Sequence, residues 1–118
     1  MKKAVLLKNG LPVVADVEIA VHLTERVRGL LGRGFLAPGC GMLLMPCSGI
    51  QTFFMKFSLD LICLDSEWVV RKIVRDLSPN RMAWCGRGTT AVLEIQSGWM
   101  DFGTVNIGDR LALAPRAG

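Results

Sequence analysis

Apolar residues in this chain come in runs of about four to six. Runs of that length suit strands, and they fall far short of the ~18 apolar residues a membrane helix needs. Ala4 to Lys8 and Pro12 to Val21 read as two strands joined at Asn9-Gly10, a strong hairpin signal because both positions tolerate positive φ. Val17, Ile19 and Val21 alternate with Asp16 and Glu18, giving the second strand one buried and one wet face. Thr24 is placed to cap a short helix from Glu25 to about Leu31, which Gly32 and Gly34 end.

Gly41 to Met45 is a short apolar strand, and Leu59 to Leu64 with Trp68 to Arg75 form a hairpin across Asp65-Ser66-Glu67. Asp76 to Gly88, with Pro79, Asn80 and two glycines, reads as a loop. Thr90 to Gln96 is another strand, followed by a short helical piece around Trp99 to Phe102 and a last strand from Arg110 to Ala114. With one or two short helices, few parallel crossovers are available. The expected fold is therefore mainly β: one domain over residues 1–118, an antiparallel or mixed β-sandwich or partly closed barrel.

A chain of 118 residues, 51% of them hydrophobic, buries a substantial core without staples. Its 13 glycines and 5 prolines are scattered, so no linker divides it. The net charge of +4 is compatible with an anionic partner but does not demand one. Basic and acidic residues are interleaved and no binding motif accompanies them, so a solvated surface is favoured over a nucleic-acid footprint. Met1-Lys2-Lys3 resembles the start of a signal peptide, but the apolar stretch Ala4 to Leu7 is too short to continue it. A cytoplasmic location is the expectation.

The richest chemistry lies in Pro46 to Phe57, where Cys47, Ser48, Gln51 and Thr52 stand directly ahead of an aromatic cluster. Cysteines 40, 47, 63 and 85 lack the close spacing of zinc ligands, and His22 is the only histidine, so neither metal nor cofactor is expected. Cys63 reads as a small buried hydrophobe. Cys47 would be a nucleophile only if a base such as His22 lay close to it. Hydroxyls such as Ser48 and Thr52 commonly bond local backbone, which is the favoured reading of both. The alternative turns Gln51 and Thr52 into a pocket lined by Phe53, Phe54, Met55 and Phe57. Strand alternation would put Phe53, Met55 and Phe57 on one face and Phe54 with Lys56 on the other.

Asp60 interrupts an apolar strand and needs a cation or several donors if buried. Arg26 is the expected partner, making a salt-bridged anchor between helix and sheet. Glu94, flanked by Leu93 and Ile95, is a second carboxylate; a cleft holding both acids would open the way to acid–base chemistry.

Several segments together form an ordered set. They are Thr24-Glu25-Arg26 with Gly29-Leu30-Leu31-Gly32-Arg33, Gly41-Met42-Leu43-Leu44, Cys47 followed by Ile50-Gln51-Thr52 and Met55, Leu59-Asp60-Leu61 with Leu64-Asp65, Val92-Leu93-Glu94-Ile95 with Gly98, and Ile107-Gly108-Asp109. This set resembles domain-of-unknown-function family 192, small uncharacterised bacterial and archaeal proteins. The resemblance implies a β-rich sandwich or barrel-like domain and no established activity, cofactor or catalytic residue. Relatives sharing the Cys…Ile-x-Thr loop usually carry histidine where Gln51 stands. Glutamine neither ligates metal well nor acts as a base near neutral pH, which argues against catalysis in this loop here.

The expected function is a non-enzymatic accessory or binding module for a small molecule, peptide or protein. Arg26, Gln51, Thr52, Phe54 and Met55 would border its cleft. The first alternative is a small hydrolase using Cys47, or Asp60 and Glu94 with Arg26. The second is a weak nucleic-acid binder using the basic surface and Trp68 or Trp84.

Overall fold

The computed structural model describes residues 2–101 and 103–116. The first two strands, β1 (Lys2–Lys8) and β2 (Leu11–Ala20), form the expected hairpin. Asn9 and Gly10 turn it with φ of 53° and 76°, the left-handed pair that a tight two-residue hairpin demands. A helical crossover then brings β3 (Cys40–Leu44) in parallel beside β2. Next come β4 (Gly49–Gln51), β5 (Leu59–Leu64), β6 (Val70–Leu77), β7 (Met82–Trp84), β8 (Ala91–Gln96) and β9 (Leu111–Pro115).

Seven strands make one mixed sheet in the order β6-β5-β8-β3-β2-β1-β9, and β4 with β7 makes a separate two-stranded ribbon. The large sheet rolls until its two edges meet at one corner. There Val70 N–H donates to the Asp109 carbonyl (2.8 Å) and Leu111 N–H donates to that of Trp68 (2.9 Å). The contact is a single bridge between Val69 and Arg110, so the sheet is curled without closing into a barrel. The mainly β expectation holds, with a single short helix among the described residues.

Both faces of the sheet are packed, which explains why β5 and β8 read as almost continuous apolar runs. On one face Leu6, Val17, Leu43, Ile62, Leu93 and Ile95 share a core. On the other, Met42, Leu44, Leu61, Cys63 and Val92 pack beneath Leu30, Ile50, Phe57 and Cys85, contributed by the helix end and the small ribbon. Gly41 in β3 allows close approach: a Cβ there would lie 3.0 Å from a Leu93 methyl and 3.2 Å from the Glu94 carbonyl oxygen.

Several sequence expectations need correction. The helix α1 spans Leu23–Arg28 and is capped by His22 rather than Thr24. Glu25 reaches back to accept from the backbone N–H groups of His22 (3.1 Å) and Val21 (3.3 Å), which starts the helix two residues early. The second strand of the central hairpin starts at Val70 and runs to Leu77, because Asp65 Oδ1 accepts from the N–H groups of Glu67 and Val69 and extends the turn. The region expected as a loop from Asp76 to Gly88 contains β7. Trp99 and Met100 are not helical, and Phe102 lies outside the described residues.

Candidate functional site

Past β3 the chain turns at the Met45-Pro46 peptide, which is cis, and enters the segment rich in polar side chains. Cys47 N–H donates to the Thr90 carbonyl (2.9 Å), tying this segment to the start of β8. The ribbon pairs Gly49 with Trp84 and Gln51 with Met82, so Ile50 and Ala83 face inward while Met82 and Trp84 are exposed. Helix α1 lies opposite, held by Arg26, whose Nη1 donates to the Pro46 carbonyl (2.9 Å). Between helix, loop and sheet lies a cleft of about 750 Å³. Its walls mix apolar side chains such as Leu44, Ile50 and Met55 with Arg26, Cys47 and Glu94.

Glu94 is the unusual member. It projects from β8 on the same face as Val92, opposite Leu61 of β5 and Met42 of β3. Its Oε1 is buried without a hydrogen-bond partner. Burial, followed by the nearby Cys85 thiol, pushes its carboxyl up to about 8, so near neutral pH it is mostly a protonated acid. Gly29, which ends the helix beside it, has a φ of +47°, a left-handed backbone that favours glycine. Arg26 Nε is likewise buried and unpartnered.

Cys47 sits within electrostatic reach of both groups. Its thiol donates to the Gly49 carbonyl (3.1 Å), and burial pushes its pKa above the ordinary thiol value. A group held protonated in this way is a poor nucleophile. Cys63 and Cys85 hydrogen-bond each other in the core beneath, and that bond together with burial keeps Cys63 protonated. All four cysteines are unpaired, and the described residues hold no group of three or more His, Cys, Asp or Glu fit to bind a metal.

The residues singled out in the sequence divide clearly. Arg26, Cys47, Gln51, Met55 and Glu94 all line the cleft. Gln51 spends its side-chain oxygen on the Phe53 N–H (2.7 Å). Thr52 lies beneath, fully buried. Its hydroxyl bonds the Ser78 carbonyl (2.7 Å) and accepts from Arg81 N–H (2.9 Å), a local backbone clamp. Phe54 is 82% exposed and outside the cleft lining. The chain leaves the strand after Gln51, so the expected alternation of Phe53, Met55 and Phe57 does not apply.

Asp60 does not pair with Arg26. It faces away from the cleft, opposite Ile95, and its Oδ2 meets Arg75 Nη1 at 3.3 Å. Its carboxylate also accepts from the backbone N–H groups of Asp76 (2.8 Å) and Gly98 (3.2 Å). Arg75 lies across the β5–β6 hairpin, nearer in topology than a helix on the opposite face. Asp60 and Glu94 therefore form no common acid pair. Of the two tryptophans considered for nucleic-acid contact, Trp84 is exposed, but Trp68 packs against the inner core.

Sequence reasoning passed over Thr89 and Thr90, which also line the cleft. Thr89 falls between the expected loop and the expected strand and Thr90 opens that strand; the Cys47 N–H bond to the Thr90 carbonyl joins them to the polar segment. Thr89 is buried and donates its hydroxyl to the Cys85 carbonyl (2.9 Å).

The sequence profile of DUF192, described as an uncharacterised ACR family, matches residues 4–113. Among solved structures, the chain is similar to a protein of Sinorhizobium meliloti 1021 provisionally described as a transcription regulator. The two share 25% identity with a TM-score of 0.78, over 95% of this chain and 92% of the other. It is also similar to a protein of unknown function from Novosphingobium aromaticivorans DSM 12444, at 21% identity and a TM-score of 0.75, over 93% and 83% of the two chains. No curated protein sequence matches the chain.

Proposed function

The chain belongs to the uncharacterised DUF192 family, and from that premise we propose that it is a non-enzymatic binding module whose cleft between α1 and β4 takes a small, partly apolar ligand. The observation that carries this reading is the pair of buried, unmatched polar atoms at one cleft, Glu94 Oε1 and Arg26 Nε. Leaving a buried polar group unpaired costs about 1–3 kcal/mol, and a bound molecule that satisfies both removes that cost. The cleft has the size of small-molecule sites, which run from about 300 to 1,000 Å³, and the same make-up of apolar walls with a few placed polar groups.

Binding is favoured over hydrolysis for two reasons. The Cys47 thiol is held protonated by burial and spends its S–H on the Gly49 carbonyl. The two carboxylates that would share acid–base work stand on opposite faces of the sheet. Nucleic-acid recognition receives little support from Trp68, which is half-buried against the core.

The test is a two-dimensional NMR titration of the protein with three six-carbon probes: hexanoate, 1-hexanol and hexylamine. Binding is expected to move the backbone amide signals of Leu44, Gly49, Thr90 and Glu94, with the probe recovered unchanged. Substituting Ser48, exposed at the cleft rim, as Ser48→Trp is expected to abolish the response by filling the opening. If none of the three probes perturbs these amides, or if Ser48→Trp changes nothing, the reading fails.

A further inference from the structure

Taking the cleft as a ligand site, we infer that its ligand is a monocarboxylate with an apolar chain, its head group received between the Glu94 carboxyl and the Arg26 guanidinium. Three features of the walls select this chemistry. The charged side chains that line the cleft are Arg26 and Arg28, and Glu94 is the only acid among its lining residues. With Glu94 carrying its proton, the site is electropositive and favours an anion. A protonated carboxyl also presents an O–H donor, and an O–H donated to a carboxylate oxygen is among the stronger hydrogen bonds available in a protein.

The second feature is what is left unmade. Arg26 already uses Nη1 on the Pro46 carbonyl, which fixes the guanidinium, yet its Nε–H is buried and has nothing to donate to. Glu94 Oε1 is in the same condition on the sheet side. A neutral alcohol satisfies one such group and leaves the cation unneutralised, whereas a carboxylate has two oxygens and a charge to offer. The third feature is the apolar remainder: Leu30, Leu44, Ile50 and Met55 form walls that suit a hydrocarbon chain. A doubly charged head group would be poorly served, since Arg26 is the one lining cation with a buried, unsatisfied donor.

The site also makes the affinity depend on pH. The ionisable groups around Glu94 are Arg26 and Arg28 on the helix side, Cys47 on the loop, Cys85 at the end of β7 and Cys63 on β5. When Glu94 loses its proton, an anion would meet a carboxylate in place of a donor. Binding that requires the protonated form weakens in proportion to the fraction remaining. With a midpoint at about 8, that is about tenfold between pH 7 and pH 9. Hexanoate itself stays ionised across this range. In Glu94→Gln the amide N–H₂ still donates, the volume is kept and the thiols are untouched, so the pH dependence should vanish.

The experiment measures the dissociation constants of hexanoate, 1-hexanol and hexylamine at pH 7 and 9 for the wild type and Glu94→Gln, by the same amide shifts. The expected result is hexanoate at least tenfold tighter than either other probe at pH 7. It should weaken about tenfold at pH 9 in the wild type and not in the variant. Equal binding of hexanoate and 1-hexanol at the cleft overturns the carboxylate inference while leaving the binding module in place. So does a wild-type hexanoate affinity that is flat with pH. No cleft response to any probe overturns both.

Discussion

Asp60 and Glu94 stand on neighbouring strands with their side chains on opposite faces of the sheet, Asp60 across from Ile95 and Glu94 across from Leu61. A one-residue offset in register separates two very different acids. Asp60 is matched by Arg75 and two backbone donors and anchors the β5–β6 hairpin to the turn after β8. Glu94 has an oxygen with no partner and faces the cleft. One acid is matched within the fold, and the other keeps an unmatched oxygen at the cleft.

Asp60→Asn should therefore destabilise the protein without altering the cleft. The amide presents an N–H₂ where the carboxylate accepted, so one of its three donors is left facing a donor in a buried setting. Costs of about 1–3 kcal/mol are usual for such a mismatch. Thermal melts followed by circular dichroism should fall by several degrees, while Arg26→Gln, which does not touch Asp60, should show no coupling to it in a double-mutant cycle. An unchanged melting temperature for Asp60→Asn would contradict the anchor.

How much of this was readable in the chain depends on how local each cause is. The β1–β2 hairpin was legible because Asn9-Gly10 carries its own turn geometry. Asp60 was legible as a buried acid, since it interrupts the apolar run of β5. Its partner was not, because choosing Arg75 over Arg26 requires knowing which face of β5 meets which neighbour. Strand β7 was hidden for a related reason. Met82 to Trp84 is too short to carry a pattern, and it becomes a strand only by pairing with Gly49–Gln51, some thirty residues earlier. Gly49 to Gln51 line the cleft, so its outline depends on that long-range pairing and was out of reach of the sequence.

Cys47 should be slow to alkylate. Its thiol is half-buried, donates to the Gly49 carbonyl and has a pKa raised by burial, which disfavours the reactive thiolate at neutral pH. Iodoacetamide labelling of the native protein, read by mass spectrometry, should modify Cys47 more slowly than the same cysteine in urea, with Cys63 and Cys85 protected further by burial. Labelling of native Cys47 at pH 7 faster than in the unfolded chain would reveal an activated thiol and restore the hydrolase alternative.

Gly41→Ala tests the packing of the central strands. The added methyl meets a Leu93 methyl at 3.0 Å and the Glu94 carbonyl oxygen at 3.2 Å, and the backbone atom has little freedom to move. Overpacking of this kind costs about 1–3 kcal/mol, and here β3 would have to shift away from β8. Urea denaturation should report a lower midpoint with an unchanged slope. A variant as stable as the wild type would show that the two strands tolerate wider spacing.

The buried carboxyl of Glu94 should leave a signature in stability as well as in binding. Its folded pKa is raised from 4.5 to about 8, so between those values the folded protein holds a proton that the unfolded chain has released. The folded state then binds more protons, and the free energy of unfolding falls as pH rises through that window, by up to about 1.4 kcal/mol per pH unit. Below about pH 4.5 the carboxyl is neutral in both states and carries no such penalty; above about 8 it is ionised in both, and the loss is complete. Glu94→Gln has no proton to release. The variant should match the wild type near pH 4.5 and exceed it by a few kcal/mol at pH 8, with no further divergence above that. Urea melts of both proteins at several pH values isolate this group, because every other titration is common to the pair. A stability difference that stays constant from pH 5 to pH 8 would mean that Glu94 is solvated or paired in solution, and the electropositive cleft would lose its neutral acid.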